Sequence, residues 1–467
     1  MTDAIRAAWA ALDGDPADVG QVDVRGPDGV LPARLPVADL AVATVAAAGL
    51  AAVELARARG APVFGQVPVE TAAVATAFTS ERHLRRDGVA FDGFAPLSRF
   101  WRTTDGWVRT HANYPHHRQR LLTALGADPG RTDDDRLATE LADRIGGLPA
   151  AEVERRVTAA DGLAVAARTP PEWSAHPQGA AVAGEPLVDL RLDAPAPARR
   201  LPPAPEHPLL PAAGLRVLDL TRVIAGPVAT RVLALLGADV LRVDDPRLPE
   251  ITGQHLDTGS GKRSTLLDLR DPADRSRFTA LLADADVLVT GYRPAALERF
   301  GLTPDALRRH RPDLVLARLS AWGRSGPWAG RRGFDSLVQA ATGIADVEHR
   351  PDGTPGVLPA QALDHGTGYL LAAAVLRAVT RRGRQGGAWS VEVSLARTAR
   401  WLLHELTADA PGAPAVGVDP DPWCDERDSA VGRLRYARPP VTLPDGASTW
   451  ATPPTPWGSD PPAWRPA

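Results

Sequence analysis

Several places along the chain carry side chains whose type and spacing can do chemistry. Lys262 and Arg263 sit in the turn Gly-Lys-Arg-Ser, after the flexible stretch DTGSG. A turn rich in N–H groups beside two cations suits phosphate oxygens, although a solvated basic turn is the usual fate of such a dipeptide. Lys262 is also the one lysine among 53 Lys and Arg residues, kept where arginine serves everywhere else. Asp364 opens an Ala/Leu-rich run and has Gly368 at D-x-x-x-G spacing. By itself an aspartate there is an N-cap, and the glycine lets backbone approach closely. Asp39 opens a similar run with Ala43 in place of that glycine, so capping is its expected role. His111, His116 and His117 stand close together. With no carboxylate at ligand spacing nearby, they read as a solvated loop rather than a metal site.

The elements that must position these groups follow from hydrophobic pattern. Leu215 to Leu220, LRVLDL, reads as a buried strand, then a loop from Thr221 to Pro227, then a helix from Val228 to Leu236. Ala238–Val243, Asp286–Val289 and Asp313–Leu319 read as further strands, with helices over Arg275–Ala283 and Pro304–Arg309. This alternation predicts an α/β fold, a Rossmann-like doubly wound parallel sheet with a smaller α+β domain. Ligands of such sheets bind at the carboxyl ends of the strands. The proline-dense segment Asp193 to Ala213 reads as a stiff connector. An internal repeat is visible: Asp39 to Gly60 is followed by VPVETAA, and Asp364 to Arg384 by VEVSLARTA. A second proline-rich region from Pro411 onward holds Trp423, Trp450, Trp457 and Trp464. Those rings are costly to leave in water, so an ordered wrap is expected.

Six ordered stretches carry a family resemblance: Gly214–Pro227, Gly237–Pro246, Gly261–Leu269, Ala285–Pro294, Arg318–Gly343, and the Asp364 helix with Val391–Leu395. Together they resemble the class III CoA-transferases (the CaiB/BaiF type), which include formyl-CoA and carnitine CoA-transferases and the α-methylacyl-CoA racemases. The N-terminal part resembles later pieces of the same family. The expected organisation is 1–95, a partial copy of the large-domain helix and strand; 96–192, the small domain; 193–213, the linker; 214–400, the Rossmann-like CoA-binding domain; and 401–467, a returning segment. The two parts hold about one full complement of pieces in rearranged order. An intrachain pseudo-dimer or a homodimer is expected.

The resemblance implies that Asp364 is a nucleophile passing through an aspartyl anhydride and an aspartyl-CoA thioester, with Gly368 beside it. It implies CoA contacts from Val223, Ile224 and Ala225 in the first loop, from Lys262 and Arg263, and from Arg293. The substrates implied are an acyl-CoA donor and a carboxylic acid acceptor, with CoA as substrate and no covalently bound cofactor. Gly291 stands where the family shows asparagine. Phe334 occupies the position of the racemase histidine, and phenylalanine cannot move a proton, which disfavours racemisation. The stretch Arg247 to Gln254 departs from the family's Pro-x-Gly-Asp-x-x-Arg-like region, so a CoA-binding but inactive paralogue is the alternative.

Composition sets outer bounds. The 467 residues are 44% hydrophobic and 23% charged with net charge −3, a globular balance without the basic field of a nucleic-acid binder. One cysteine, Cys424, excludes an intramolecular disulfide. The start, MTDAIRAAWAALDGD, does not read as a signal peptide. The apolar run Leu40 to Val53 is short for a bilayer span, so no membrane partner and a cytoplasmic protein are expected.

Overall fold

The computed structural model describes residues 1–63, 65–407 and 414–466. Of the proline-rich region and the 401–467 segment, residues 408–413 and 467 lie outside the described residues.

Apolar runs bounded by turns become the strands of a seven-stranded sheet. Its order is Arg263–Leu266, Asp239–Asp244, Arg216–Leu220, Val287–Thr290, Val315–Ser320, Ala388–Ser394 and Asp189–Ala194. The first six run parallel. Counted from Arg216–Leu220 their order is 3-2-1-4-5-6, that of a doubly wound dinucleotide-type sheet. Val287 to Thr290 is buried throughout, as a strand covered on both faces must be. The order reverses between Arg216–Leu220 and Val287–Thr290. The loops leaving those two strands, Thr221–Ile224 and Gly291–Arg293, therefore flank the crevice where ligands of this architecture sit.

The last strand, Asp189–Ala194, comes from the N-terminal half and pairs antiparallel with Ala388–Ser394. Conversely, Cys424–Ser429 and Gly432–Ala437 form an antiparallel sheet with Arg85–Arg86 and Val89–Ala90. Each half thus completes the other.

The internal repeat has a structural counterpart. Helices Val37–Ala58 and Ala362–Gln385 pack face to face, so closely that a Cβ on Gly366 would lie 2.6 Å from Leu40 Cδ2. Their N-cap residues, Pro36 and Gln361, share φ −74° and differ by one degree in ψ, 61° and 62°. Each helix leads into a strand that pairs parallel with an earlier one, Val67–Glu70 with Val22–Arg25 and Ala388–Ser394 with Val315–Ser320. The sequence VLPA precedes both helices, at Val30–Ala33 and Val357–Ala360. One apolar core, containing Leu40, Ala47, Val228, Leu371 and Val375, threads both halves.

Helix Val37–Ala58 extends beyond the Leu40–Val53 run. At 22 residues it is long and apolar enough to cross a membrane, but 89% of its apolar window is buried inside the protein, as in a core helix. A smaller unit has its own core of Leu121, Leu141, Ile145 and Val157. The proline-rich connector is fastened down: Arg59 donates to the carbonyls of Pro211 (2.6 Å), Pro202 (2.8 Å) and Ala213 (2.8 Å). The C-terminal stretch lies along the edge strand Arg263–Leu266, with Asp460 N donating to Ser264 O at 2.8 Å. Trp450 is buried against Arg231, and Trp457 donates to Asp244 at 3.0 Å. The edge is covered, which removes a template for intermolecular pairing.

Candidate functional site

Asp364 lies in the first turn of Ala362–Gln385, where a carboxylate favours the helix dipole. It is 6% exposed, and no hydrogen-bond donor among the described residues reaches its carboxylate. Its own N–H donates to Asp335 Oδ2 at 2.9 Å. Asp335, in the first turn of Asp335–Thr342, also accepts from the Gln339 amide. Burial, and then the Asp335 charge, push the Asp364 carboxyl well above the usual carboxylate range. Burial raises Asp335 too, but its hydrogen bonds favour the anion. The pair therefore shares one proton, held mainly by Asp364.

Gly368, one turn on, faces the first loop. A Cβ there would meet Ala225 O at 2.5 Å and Val228 Cβ at 3.0 Å. The glycine admits the neighbouring helix, Ala225–Leu235, and so brings the loop containing Val223, Ile224 and Ala225 next to the Asp364 helix. Val223 has φ +72°, a left-handed conformation that is a genuine outlier for a β-branched residue. It is held by Glu250, whose carboxylate also accepts from Tyr114 Oη (2.6 Å) and Arg242 (2.7 Å) and lies 3.4 Å from Arg222 Nε. Burial alone would raise Glu250, but Arg242 and Arg222 hold it down at about 2. The stretch Arg247 to Gln254, which departs from the family pattern, thus supplies the anchor of this loop.

The Gly-Lys-Arg-Ser turn corrects the sequence expectation. Lys262 is 2% exposed, and its ammonium donates to Thr230 Oγ1 (2.9 Å), Asp219 Oδ2 (3.1 Å) and Pro227 O (3.2 Å). An ammonium has three protons, so none remains for a phosphate. Burial lowers its pKa to about 8 even with Asp219 beside it. Arg263 pairs with Asp239 at 2.9 Å and donates to Ala463 O, while Gly261 N donates to Thr452 O at 2.9 Å. The turn is committed to the fold and to the C-terminal stretch covering it.

Another cationic group stands at the crevice. Arg293, just after Val287–Thr290, lies 3.8 Å from Asp161; Arg120 lies 3.0 Å and Arg332 2.5 Å from the same carboxylate. Three arginines share one aspartate, drawn from both halves, and Arg293 is partly exposed. Asp161 itself has φ +57°. Sequence reading found Arg293 but not its partners, because they come from remote segments. A Cβ at Gly291 would meet Thr221 at 3.8 Å and Leu319 Cδ2 at 3.9 Å, ordinary van der Waals contacts, so the departure from asparagine there is sterically open.

The histidine expectation also needs correction. His111 and His117 are each 3% exposed, not solvated. The His111 ring stacks on Phe334 at 3.7 Å, and His117 meets it edge-on at 5.7 Å. Burial pushes His111 down to about 3 and His117 to about 2, so both are neutral packing rings. No group able to hold a metal ion occurs among the described residues.

Asp39 does not repeat the environment of Asp364: its carboxylate is 2.8 Å from the Met1 amine. A cavity of about 270 Å³ is lined by Thr290, Leu316, Arg318, Arg324 and Glu392, with neither Asp364 nor the first loop among its walls.

Residues 212–430 match the sequence model of CoA-transferase family III. A probable fatty acyl-CoA transferase of Mycobacterium tuberculosis is 37% identical over 202 residues, covering 40% of this chain and 51% of that protein. An acyl-CoA transferase of Gibberella moniliformis is 31% identical over 306 residues, covering 62% and 53%. Of solved structures, the Mycobacterium tuberculosis protein aligns with TM-score 0.40 at 37% identity over 42% of this chain and 58% of that one. A CaiB/BaiF family protein from Brucella suis aligns with TM-score 0.38 at 28% identity, over 42% and 56%. The chain spans about half the length of the curated relatives it matches.

Proposed function

We propose, from the premise that residues 212–430 carry the sequence of CoA-transferase family III, that the chain moves CoA from an acyl-CoA to a carboxylic acid, with Asp364 as nucleophile. One observation carries this reading: within the matched segment, a buried carboxyl with no donor among the described residues stands beside the loop at the sheet's switch point. The Asp364 carboxylate attacks the thioester carbonyl, the C–S bond breaks, and a mixed anhydride and CoA thiolate form. The thiolate attacks the aspartyl carbonyl and expels the donor carboxylate, leaving an aspartyl-CoA thioester. The acceptor carboxylate then repeats the two steps in reverse and regenerates Asp364. Both intermediates stay activated, so thioester energy is kept.

The backbone of Val223, Ile224 and Ala225 would receive the CoA moiety, strained into place by Glu250. Arg293, with Arg332 and Arg120 beside it, is the cationic group we assign to the CoA phosphates in place of Lys262 and Arg263. Asp161 then serves as a placeholder that keeps the arginines ordered until phosphate arrives.

A second reading, a CoA-binding chain without turnover, is favoured by the covered Gly-Lys-Arg-Ser turn. Incubation with a panel of acyl-CoAs, hydroxylamine trapping and mass spectrometry separates the two. The expected result is modification at Asp364, absent in Asp364→Asn. CoA binding without any adduct across the panel selects the second reading.

A further inference from the structure

A row of polar side chains at the carboxyl ends of the strands faces away from the Asp364 helix. Strand register sets Thr290, Arg318, Glu392 and Asp189 side by side across four neighbouring strands. All four line the cavity of about 270 Å³. Side chains alternate between the two faces of a strand, so Leu316, two residues before Arg318, lies on the same face. Leu316 belongs to the apolar cluster that contains Leu307, whereas Val315 and Ala317 belong to the core shared with Leu371 and Val375 of the Asp364 helix. The cavity and Asp364 therefore lie on opposite sides of the sheet. Leu302, Leu307 and Leu316 give the cavity an apolar wall.

Its polar wall is a chain of ion pairs drawn from both halves of the polypeptide. Arg318 pairs with Glu392, Glu392 with Arg191 at 2.7 Å, Arg191 with Asp189, and Asp189 with Arg324. The chain begins and ends on arginine, with three cations to two carboxylates. Arg191 also meets Asp193 at 3.1 Å, off the cavity wall, where Arg308 neutralises it. Glu185 is occupied by the N–H groups of Arg324 (3.0 Å) and Ser325 (3.1 Å) and by the Ser325 hydroxyl (2.6 Å). Glu298, the remaining acid on the wall, is exposed. Donors are left over. Arg318 spends only Nη2, on Glu392; its Nη1 and its enclosed Nε have no hydrogen-bond partner among the described residues. The Arg324 side chain spends only Nη1, on Asp189. A guanidinium carries five N–H donors in a fixed fork that matches a carboxylate. The site thus offers spare charged donors on one side and leucines on the other, the pairing that orients an amphipathic acid.

We propose that this cavity is a carboxylate-binding site separate from Asp364, taking a monocarboxylate with an aliphatic chain of about six to eight carbons or a phenyl ring. The size follows because a cavity of about 150 Å³ already holds benzene. Arg318 and Arg324 receive the carboxylate, and the leucines receive the tail. The proposal does not rest on Asp364 being the nucleophile.

The test titrates hexanoate, octanoate and benzoate into the full chain by calorimetry, with hexanamide as the neutral match for hexanoate. Wild type is compared with Arg318→Gln, Leu302→Trp and Asp364→Asn, each checked for folding by circular dichroism. Arg318→Gln leaves Glu392 held by Arg191. The expected result is saturable binding of at least one acid at one site, with hexanamide weaker than hexanoate by about tenfold. Arg318→Gln should weaken acid binding by about tenfold as well. Leu302→Trp should abolish it by filling the space, and Asp364→Asn should keep the wild-type affinity. No binding of any of the three acids overturns the proposal, as does wild-type affinity in folded Arg318→Gln or folded Leu302→Trp. Loss of binding in Asp364→Asn alone places the acid at Asp364 and overturns it too.

Discussion

Replacing Gly368 by alanine tests whether the close approach of the Asp364 helix to the first loop is required. The added Cβ would lie 2.5 Å from Ala225 O and 3.0 Å from Val228 Cβ. The first neighbour is backbone and cannot rotate away, so the Ala225–Leu235 helix must shift by roughly 0.5–1 Å. Overpacking of this kind costs about 1–3 kcal/mol, against a gain of about 1 kcal/mol from alanine's helix propensity. Gly366, two residues earlier on the same helix, is an internal control. Its added Cβ meets the Leu40 Cδ2 end at 2.6 Å and Thr44 Cγ2 at 3.8 Å, and a side-chain tip can move. The expectation is that Gly366→Ala is near neutral in urea unfolding while Gly368→Ala loses about 1–2 kcal/mol. Gly368→Ala should also weaken CoA binding in calorimetry by about tenfold, because the displaced turn carries Ile224 and Ala225. Equal stability of the two variants, with equal CoA affinity, would refute the reasoning.

Asp364→Asn should stabilise the protein at pH 8 by about 1–3 kcal/mol, with the gap narrowing as pH falls and closing only at pH ~4. The sign follows from its raised folded-state pKa: the stability it contributes is complete below the ordinary carboxylate range and is lost as pH rises through the folded value. Denaturant melts at the two pH values read this directly. Lys262→Ala should cost about 3–5 kcal/mol, since it strands the buried Asp219 carboxylate. CoA affinity of the folded fraction should stay at the wild-type value, and a calorimetric loss with stability intact would restore Lys262 as a phosphate ligand. Arg293→Ala should weaken CoA binding in a salt-dependent way, and the dependence on ionic strength should fall with it. Trp450→Ala should cost about 3–5 kcal/mol, because the indole is 3% exposed and donates to Arg231 O at 2.9 Å; unchanged melting would mean the C-terminal stretch is not structural.

The parallel sheet was legible because strands buried on both faces are written as unbroken apolar runs such as LRVLDL and DVLV. The helix start at Pro304 was legible from its proline, whereas the helix expected from Arg275 begins at Pro272, capped by Asp271. Asp364 and Gly368 stood out by spacing, and the structure places that spacing between two packed helices. Lys262 misled, because its burial depends on Asp219 and Thr230, neither of which is near it in sequence. Arg293 and Arg332 join Arg120 and Asp161 only when the halves interlock. Nothing local marks Glu250 as a carboxylate that will be buried, because Tyr114, Arg222 and Arg242, which surround it, lie on other elements. The VLPA pair was readable and strengthens the repeat.

The packing of Val37–Ala58 on Ala362–Gln385 is a contact within one polypeptide. A contact between separate molecules is lost on dilution, whereas a tethered one is held at an effective concentration set by the connector, of millimolar order for short tethers. The two-helix seam therefore stays closed however scarce the protein is. Covalent union also frees each side to change alone. Two copies of one helix must change together, but here the two helices differ: Asp39 lies 2.8 Å from the Met1 amine, while Asp364 has no donor among the described residues.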